Sequence, residues 1–181
     1  MRHGALAAAT LTGATLAAAL AGCAKMAMDP APVGGTTTAV AELRTASGTP
    51  AGSATATATN RGVRIEVVGV GLPAGPHGAH VHTVGRCDAP DFASALGHWN
   101  PTTHQHGTQN PAGPHAGDLP NLLIGTDGRG TLALTLPGGT FAGLMDEDGA
   151  AFIIHAGVDD LTSDPAGNSG GRIACGVFRP S

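Results

Sequence analysis

The chain has 181 residues, a length that suggests one folded domain plus a processing segment. It contains 29 glycines and 13 prolines, only 3% aromatic and 12% charged residues, which favours short strands and turns over long helices. A formal net charge of −4, with no basic stripe, gives no reason to expect nucleic acid as a partner.

Residues 1–22 are predicted to be a lipoprotein signal peptide. Arg2 precedes an apolar stretch, residues 5–20, that is too short and too rich in alanine and glycine for a membrane span. The stretch ends in Leu-Ala-Gly-Cys, which is similar to the bacterial lipobox, and this predicts lipidation of Cys23. The alternative is an ordinary secretory signal followed by an incidental cysteine. With lipidation, we expect an exported cell-envelope lipoprotein held on a membrane by its acyl chains.

Residues 23–38 are predicted to be a flexible tether, and residues 39–181 the folded domain. With Cys23 assigned to lipid, two cysteines remain, Cys87 and Cys175. Export places them in an oxidising compartment, which favours a disulfide between them. The alternative is a pair of metal-ligand thiols, although the chain has no Cys-x-x-Cys motif.

The domain is predicted to be an antiparallel β structure. Alternation of apolar and polar residues and the turn signals between them predict strands at residues 39–43, 52–58, 62–70, 78–83, 122–126, 130–136, 150–155 and 172–178. A turn is expected at residues 59–62, and a tight hairpin at Asp127 and Gly128. Two long loops, residues 84–120 and 156–171, separate the later strands, and loops of this length are usually functional or disordered.

Histidines indicate a metal site. The chain has nine, and seven of them lie between His77 and His115. His80 and His82 form a His-x-His pair whose rings project from one face of a strand, about 7 Å apart. His155 ends another apolar strand, and alone it is more typical of a buried structural residue. The first long loop carries three imidazoles and one carboxylate, which together can surround a zinc ion tetrahedrally and leave no open position. These residues are His98, His106, His115 and Asp118.

Four motifs in order resemble those of one family. Residues 75–82 (GPHGAHVH), followed by Cys87 and residues 96–101 (LGHWNP), resemble the copper-site signature of the copper/zinc superoxide dismutases. His106 with Gly107 and residues 113–122 (GPHAGDLPNL) resemble the zinc loop of the bacterial branch. Residues 167–177 (GNSGGRIACGV) resemble the C-terminal signature, and the resemblance spans residues 38–180.

The resemblance implies an eight-stranded antiparallel Greek-key barrel or sandwich with long metal-binding and electrostatic loops. Each subunit is expected to hold one copper and one zinc. The implied ligands are, for copper, His80, His82, His98 and His155, and, for zinc, His98, His106, His115 and Asp118. Arg172 is expected to attract the substrate anion, and Asp159 to link copper and zinc ligands through hydrogen bonds. A disulfide between Cys87 and Cys175 is implied as well.

The implied activity is dismutation of superoxide to dioxygen and hydrogen peroxide through a Cu(II)/Cu(I) cycle, with Arg172 and His98 as catalytic residues. The alternative is a non-catalytic periplasmic module that binds copper and zinc. His77 matches a structural family position, and His104, which has no family role, is expected to be a solvated loop residue. The subunit is expected to be a monomer or a homodimer, and Trp99 is a weak exposed-aromatic candidate for an interface.

Overall fold

A computed structural model of the protein describes Met1 and residues 37–181. Apart from Met1 and residues 37–38, the predicted signal peptide and tether, with Cys23, lie outside the described residues. Within the described part, no helix combines the length and the apolar character that a membrane span requires.

The regular secondary structure of residues 37–181 consists almost entirely of short strands. Ten are present: β1 (Thr38–Arg44), β2 (Pro50–Thr59), β3 (Gly62–Gly69), β4 (Gly75–His77), β5 (Ala79–His82), β6 (Leu122–Ile124), β7 (Gly130–Leu136), β8 (Ala151–His155), β9 (Arg172–Val177) and β10 (Arg179–Pro180). A 3₁₀ turn lies at Ala93–Ala95, and one helical turn, α1, at Phe141–Leu144. Thr140 caps α1, because its hydroxyl accepts a 3.1 Å hydrogen bond from the Gly143 N–H.

The strands form an antiparallel sheet in the order β5-β8-β9-β1-β2-β3-β7, with β10 pairing with β1. β4 and β6 form a second pair. Only Gly78 separates β4 from β5, so the chain passes directly from this pair into the large sheet, and the tight turn at residues 125–129 leads from β6 into β7. The last long strand, β9, lies between β8 and the first strand, so distant parts of the chain are neighbours. The all-β antiparallel fold expected from the sequence is confirmed.

Alternating residues build the core. In β2 and β3 the inward positions, such as Ala54, Ala56 and Ile65, are fully buried, whereas Arg64 and Glu66 face solvent and form a 3.0 Å ion pair. This is the period of a sheet with one face packed and one face wet. The turn from β2 to β3 ends in a glycine with φ of 125°, whose added Cβ would lie 2.0 Å from the Leu136 carbonyl oxygen.

Some local predictions are corrected. The strand predicted at residues 78–83 is β5, which is shorter. A separate strand, β4, precedes it and was not predicted. Gly78 lies between the two, where the chain passes close to Ser169 and the strand pairing is interrupted. The Asp127 and Gly128 turn is present, but the flanking strands then diverge, β6 to β4 and β7 to β3. The single helical turn α1 was not predicted either, since four residues are too few for a helical period.

Trp99 does not provide an exposed aromatic surface. Only 5% of it is accessible, and its indole packs against Gly139, before α1, and Gly143, within α1. A Cβ added to Gly139 would lie 2.0 Å from the indole Cη2, and one added to Gly143 would lie 3.6 Å from Cζ2. The expectation of an interface aromatic here is therefore wrong, because the loop that carries Trp99 folds inward onto the sheet.

The two long loops lie against one another and against the sheet edge. The Gln109 N–H donates to the Leu161 carbonyl at 2.9 Å, and the Asn110 side chain donates to the Thr162 carbonyl at 3.2 Å. Residues 98–118 also line β5, because the Val81 N–H donates to the Gly117 carbonyl at 2.9 Å. This arrangement brings loop side chains to the same place as the strand histidines.

Candidate metal centre

β5 supplies the first two side chains of the site. His80 and His82 are buried, and their ring centroids lie 6.4 Å apart. Isolated bridges pair His82 with His98 and His80 with Asp118, so the loop runs antiparallel to β5 and adds its own side chains to the strand's inner face. On its other edge β5 pairs with β8, which ends in His155.

Four imidazoles converge in this way. Each offers one nitrogen, and the four nitrogens lie within 4.8 Å of one another, from His80, His82, His98 and His155. Among the described residues, His80 Nδ1 and the Nε2 atoms of the other three have no hydrogen-bond partner although they are buried. Buried polar atoms are almost always paired, so four orphaned nitrogens facing one point fit a metal ion. Imidazoles suit copper in both of its oxidation states.

The opposite nitrogens of three of these rings are held. His80 Nε2 donates to Asp159 Oδ2 at 2.7 Å, His82 Nδ1 to the Leu96 carbonyl at 2.8 Å, and His155 Nδ1 to the Gly170 carbonyl at 3.1 Å. Each bond sets which nitrogen carries the proton and leaves the other electron pair free.

A second group is centred on one oxygen of Asp118. Three Nδ1 atoms surround Asp118 Oδ1, at 2.8 Å for His98, 3.1 Å for His106 and 3.3 Å for His115. The other oxygen, Oδ2, accepts 2.9 Å bonds from two backbone N–H groups, which fixes the carboxylate. Three imidazole nitrogens and one carboxylate oxygen are a typical donor set for tetrahedral zinc.

His98 belongs to both groups. Its Nδ1 faces Asp118, while its Nε2 is one of the four orphaned nitrogens. His80 also has a nitrogen within 4.8 Å of His98, His106 and Asp118, but the bond from its Nε2 to Asp159 places it with the first group. A single ring therefore separates the two candidate metal positions.

Asp159 connects the groups a second time. Its Oδ2 accepts from His80, and its Oδ1 accepts from His106 Nε2 at 3.0 Å. Asn121 holds Asp159 in place, because its amide exchanges two 2.8 Å bonds with the Asp159 backbone N–H and carbonyl. Asn121 was not predicted, since a neutral amide beside a strand carries no metal signal.

Arg172 lies at the mouth of the site. It lines a pocket of about 320 Å³ together with His82, His98 and His155. Its guanidinium donates to the Phe92 and Leu96 carbonyls, each at 2.6 Å. Both carbonyls belong to residues with positive φ, 55° and 58°, so the backbone is bent to aim them at the arginine. A backbone carbonyl has no sequence signature, and these two partners were not predicted.

Comparison with known proteins decides the family. The family model described as copper/zinc superoxide dismutase matches residues 50–178. The chain belongs to the copper/zinc superoxide dismutase family. It is 49% identical over 129 residues to copper/zinc superoxide dismutase 1 of Aquifex aeolicus, covering 67% of this chain and 75% of that one. It is 38% identical over 148 residues to the copper/zinc enzyme of Caulobacter vibrioides, covering 78% and 85%.

Solved structures give the same relationship. A superoxide dismutase-like protein from Bacillus subtilis superimposes with a TM-score of 0.70 at 37% identity, covering 76% of this chain and 96% of that one. The copper/zinc superoxide dismutase from Brucella abortus gives 0.64 at 25% identity, covering 78% and 99%. The chain is a superoxide dismutase with copper and zinc as cofactors, so the predicted family, activity and cofactors are confirmed.

Burial keeps the histidines of the first group in their neutral form. Burial lowers the pKa of His80 to about 3, that of His82 to about 2 and that of His155 to about 4. Burial also lowers the pKa of His98. These rings are therefore neutral near pH 7, and a neutral imidazole is the form that binds a metal.

His106, in the second group, behaves differently. Burial lowers the pKa of His106, but hydrogen bonds to Asp118 and Asp159 outweigh it and raise the pKa to about 9. For the two carboxyl groups, burial acts to raise the pKa, yet their bonds to histidines hold each pKa well below its usual range. In the metal-free protein His106 is thus a cation held between two carboxylates, in a place where a divalent cation can replace its proton.

The disulfide of the dismutase is confirmed. Cys87 and Cys175 are bonded, with their Cα atoms 5.7 Å apart. The alternative of two thiol ligands is therefore excluded for these residues. Cys175 lies on β9, three residues after Arg172, while Cys87 begins the segment that carries Phe92 and Leu96. The bond thus ties the carbonyls that hold Arg172 to the strand that carries it.

Two further histidines lie outside both groups. His77 is buried, and its nitrogens contact the His155 carbonyl at 2.7 Å and the Pro73 carbonyl at 2.9 Å. His104 is exposed on the loop, and its Nδ1 donates to the Pro114 carbonyl at 3.1 Å.

Proposed function

We propose that this dismutase binds copper through His80 Nδ1 and the Nε2 atoms of three other histidines, His82, His98 and His155. Zinc is bound next to it by Asp118 Oδ1 and the Nδ1 atoms of His98, His106 and His115. The observation that carries the proposal is His98, whose two nitrogens face the two donor groups. A protein that binds a single metal ion would need only one of these two donor groups.

Copper held by these residues would supply the one-electron redox chemistry that dismutation of two superoxide anions requires. The chain provides the rest of the reaction. Arg172 draws the small anion into the pocket and offers it N–H donors, since superoxide has charge but almost no shape to recognise. Its anchoring to Phe92 and Leu96 keeps the guanidinium at one position beside His82 and His98.

His98 has the second chemical role. Its Nε2 is the nitrogen of this ring that has no hydrogen-bond partner, while Nδ1 remains directed at Asp118. We assign His98 Nε2 as the atom that takes up one proton and gives it to the reduced substrate, and a second proton, taken from water, completes hydrogen peroxide. Asp118 keeps the ring oriented throughout, because its other oxygen is fixed by two backbone N–H groups.

A non-catalytic module that binds copper and zinc is the second candidate function. It needs the ligand histidines but no arginine at the opening. The two 2.6 Å bonds that immobilise Arg172 beside the copper group support catalysis instead.

We also propose that the enzyme works at the cell envelope as a lipoprotein. The support is the sequence of residues 1–22, with Cys23 directly after the small residues that end the apolar stretch. A disulfide in the domain agrees with an oxidising compartment. Fractionation of cells that express the full chain tests this: the wild type should be in the membrane fraction, and Cys23→Ser should be released as a soluble protein. A wild type that is soluble and uncleaved would contradict the lipid anchor.

Three variants test the catalytic assignment. His80→Ala should lose copper and dismutate superoxide no faster than buffer. Arg172→Ala should keep both metals, but its second-order rate constant should fall by about 10-fold or more with weaker salt dependence. Arg179→Ala, an exposed arginine on β10, is the matched control and should retain the full rate. If fully metallated wild type consumed superoxide no faster than buffer, the assignment would be wrong.

A further inference from the structure

A second pocket reaches the zinc group from another direction. It has a volume of about 370 Å³ and lies between the loop and the end of β7. Two of the proposed zinc ligands, His115 and Asp118, line it, and so does His104. The copper pocket, by contrast, contains His115 but not Asp118. The zinc position is therefore approached from two sides.

The two approaches differ in charge. Arg172 lines the copper pocket, and its guanidinium attracts an anion but opposes the entry of a divalent cation. No arginine or lysine of residues 37–181 lines the second pocket, whose ionisable groups are Asp118 and two imidazoles. Electrostatics thus favours anion entry at the first opening and cation entry at the second.

His104 presents a nitrogen that can bind a metal ion at this second opening. Asn100 clamps its backbone, accepting from the His104 N–H at 3.1 Å and donating to its carbonyl at 2.8 Å. Its Nδ1 donates to the Pro114 carbonyl, so the Nε2 electron pair is the free one. Pro114 directly precedes His115, which couples this exposed ring to the segment that carries the most accessible of the zinc-side ligands.

We propose that the second pocket is the entry route for zinc and that His104 is its first, transient ligand. The zinc ligands are nearly inaccessible, with side-chain exposures of 2%, 0%, 8% and 1% for His98, His106, His115 and Asp118. A hydrated ion must therefore exchange its waters before it reaches them. An exposed imidazole at the mouth replaces the first water and passes the ion to His115 and Asp118. The inference rests on the zinc ligands assigned above.

Uptake kinetics of metal-free protein test the route. Co(II) is the probe, because tetrahedral Co(II) absorbs in the visible and reports filling of the zinc site directly. His104→Ala should slow uptake by about tenfold, as expected when the rate-limiting step loses one ligand contact. His104→Asp, which restores a donor, should recover most of the rate. Thr102→Trp, which fills the mouth, should slow uptake, while Leu123→Ala, exposed on β6, is the control and should not.

The end point separates this proposal from the site assignment. All variants should reach the same final Co(II) spectrum and, once loaded with copper and zinc, the same dismutation rate. Protein that already holds one equivalent of copper should take up Co(II) at an unchanged rate, since the copper pocket is not the route. Equal uptake rates for His104→Ala and wild type, or uptake blocked by prior copper, would overturn the route. A wild type that never shows a tetrahedral spectrum would instead refute the zinc ligands themselves.

Discussion

Removing the disulfide provides the sharpest test of how the fold supports the site. We consider Cys87→Ser with Cys175→Ser, compared in a Cys23→Ser background so that no lipid or stray thiol interferes. The bond closes a loop of 88 residues. In the chain-entropy description such a closure restricts the unfolded chain by about 15 cal/mol/K, or about 4.6 kcal/mol at 25 °C. We expect the free energy of unfolding to fall by about this amount, a large share of a typical total of about 5–15 kcal/mol.

Trp99 makes the measurement direct. It is the one tryptophan in the chain and is buried, so its fluorescence reports unfolding in guanidinium. Dismutation should fall as well in the fully metallated variant, because the segment carrying Phe92 and Leu96 is no longer tied to β9. The rate should approach that of Arg172→Ala. A stability loss below about 1 kcal/mol would refute the entropic argument, and an unchanged rate would show that the carbonyls hold Arg172 without the bond.

Three further predictions follow from the site. Asp159→Asn should weaken copper and zinc binding by about 10–100-fold each in chelator competition, since an amide oxygen cannot serve both His80 and His106; loss of one metal only would contradict the link. Zinc binding at pH 7.5 should release about one proton, because the pKa of His106 is about 9. Calorimetry in two buffers with different ionisation enthalpies measures the number of protons released, and a value of zero would contradict a protonated His106. Gly139→Ala should shift Trp99 fluorescence and cost about 1–3 kcal/mol in chemical unfolding, through the 2.0 Å clash; an unaltered spectrum would count against this packing.

The pH dependence of the metal-free protein gives one more prediction. The pKa of His80 is about 3 and that of His155 about 4 in the folded state, against about 6.5 when unfolded. Between these pKa values the unfolded chain binds more protons than the folded chain. The contribution of the two histidines to stability is therefore present above pH 6.5 and is lost as the pH falls. The unfolding free energy should therefore decrease from pH 6.5 to 4, and a constant value would show that these rings are protonated when folded.

Local pattern alone predicted much of the strand layout. Residues 130–136 were predicted with the bounds of β7, and residues 39–43 and 172–178 came within one residue of β1 and β9, because apolar alternation is a local property. The break at Gly78 and the separation of β6 from β7 were not predictable this way. Both depend on which distant strand each segment meets, and pairing partners leave no periodic trace.

The ligand types were readable from the sequence, since metal chemistry selects imidazole and carboxylate wherever they lie. His80 and His82 show their shared face through strand alternation alone. That His98 and His155 join His80 and His82 in one ligand group was predicted only from the resemblance to a family. The physical reason appears in the folded chain, where β8 and the loop lie on either side of β5.

Sequence by itself thus determined the types of donor residue, the family and the cysteines available for a disulfide. Tertiary structure alone decided which nitrogen of each ring is free, what holds Asp159, and which carbonyls aim Arg172. The reason is that those choices are made by hydrogen bonds from backbone groups and from Asn121, and every residue has the same backbone donors and acceptors. Only their positions in the folded chain distinguish them.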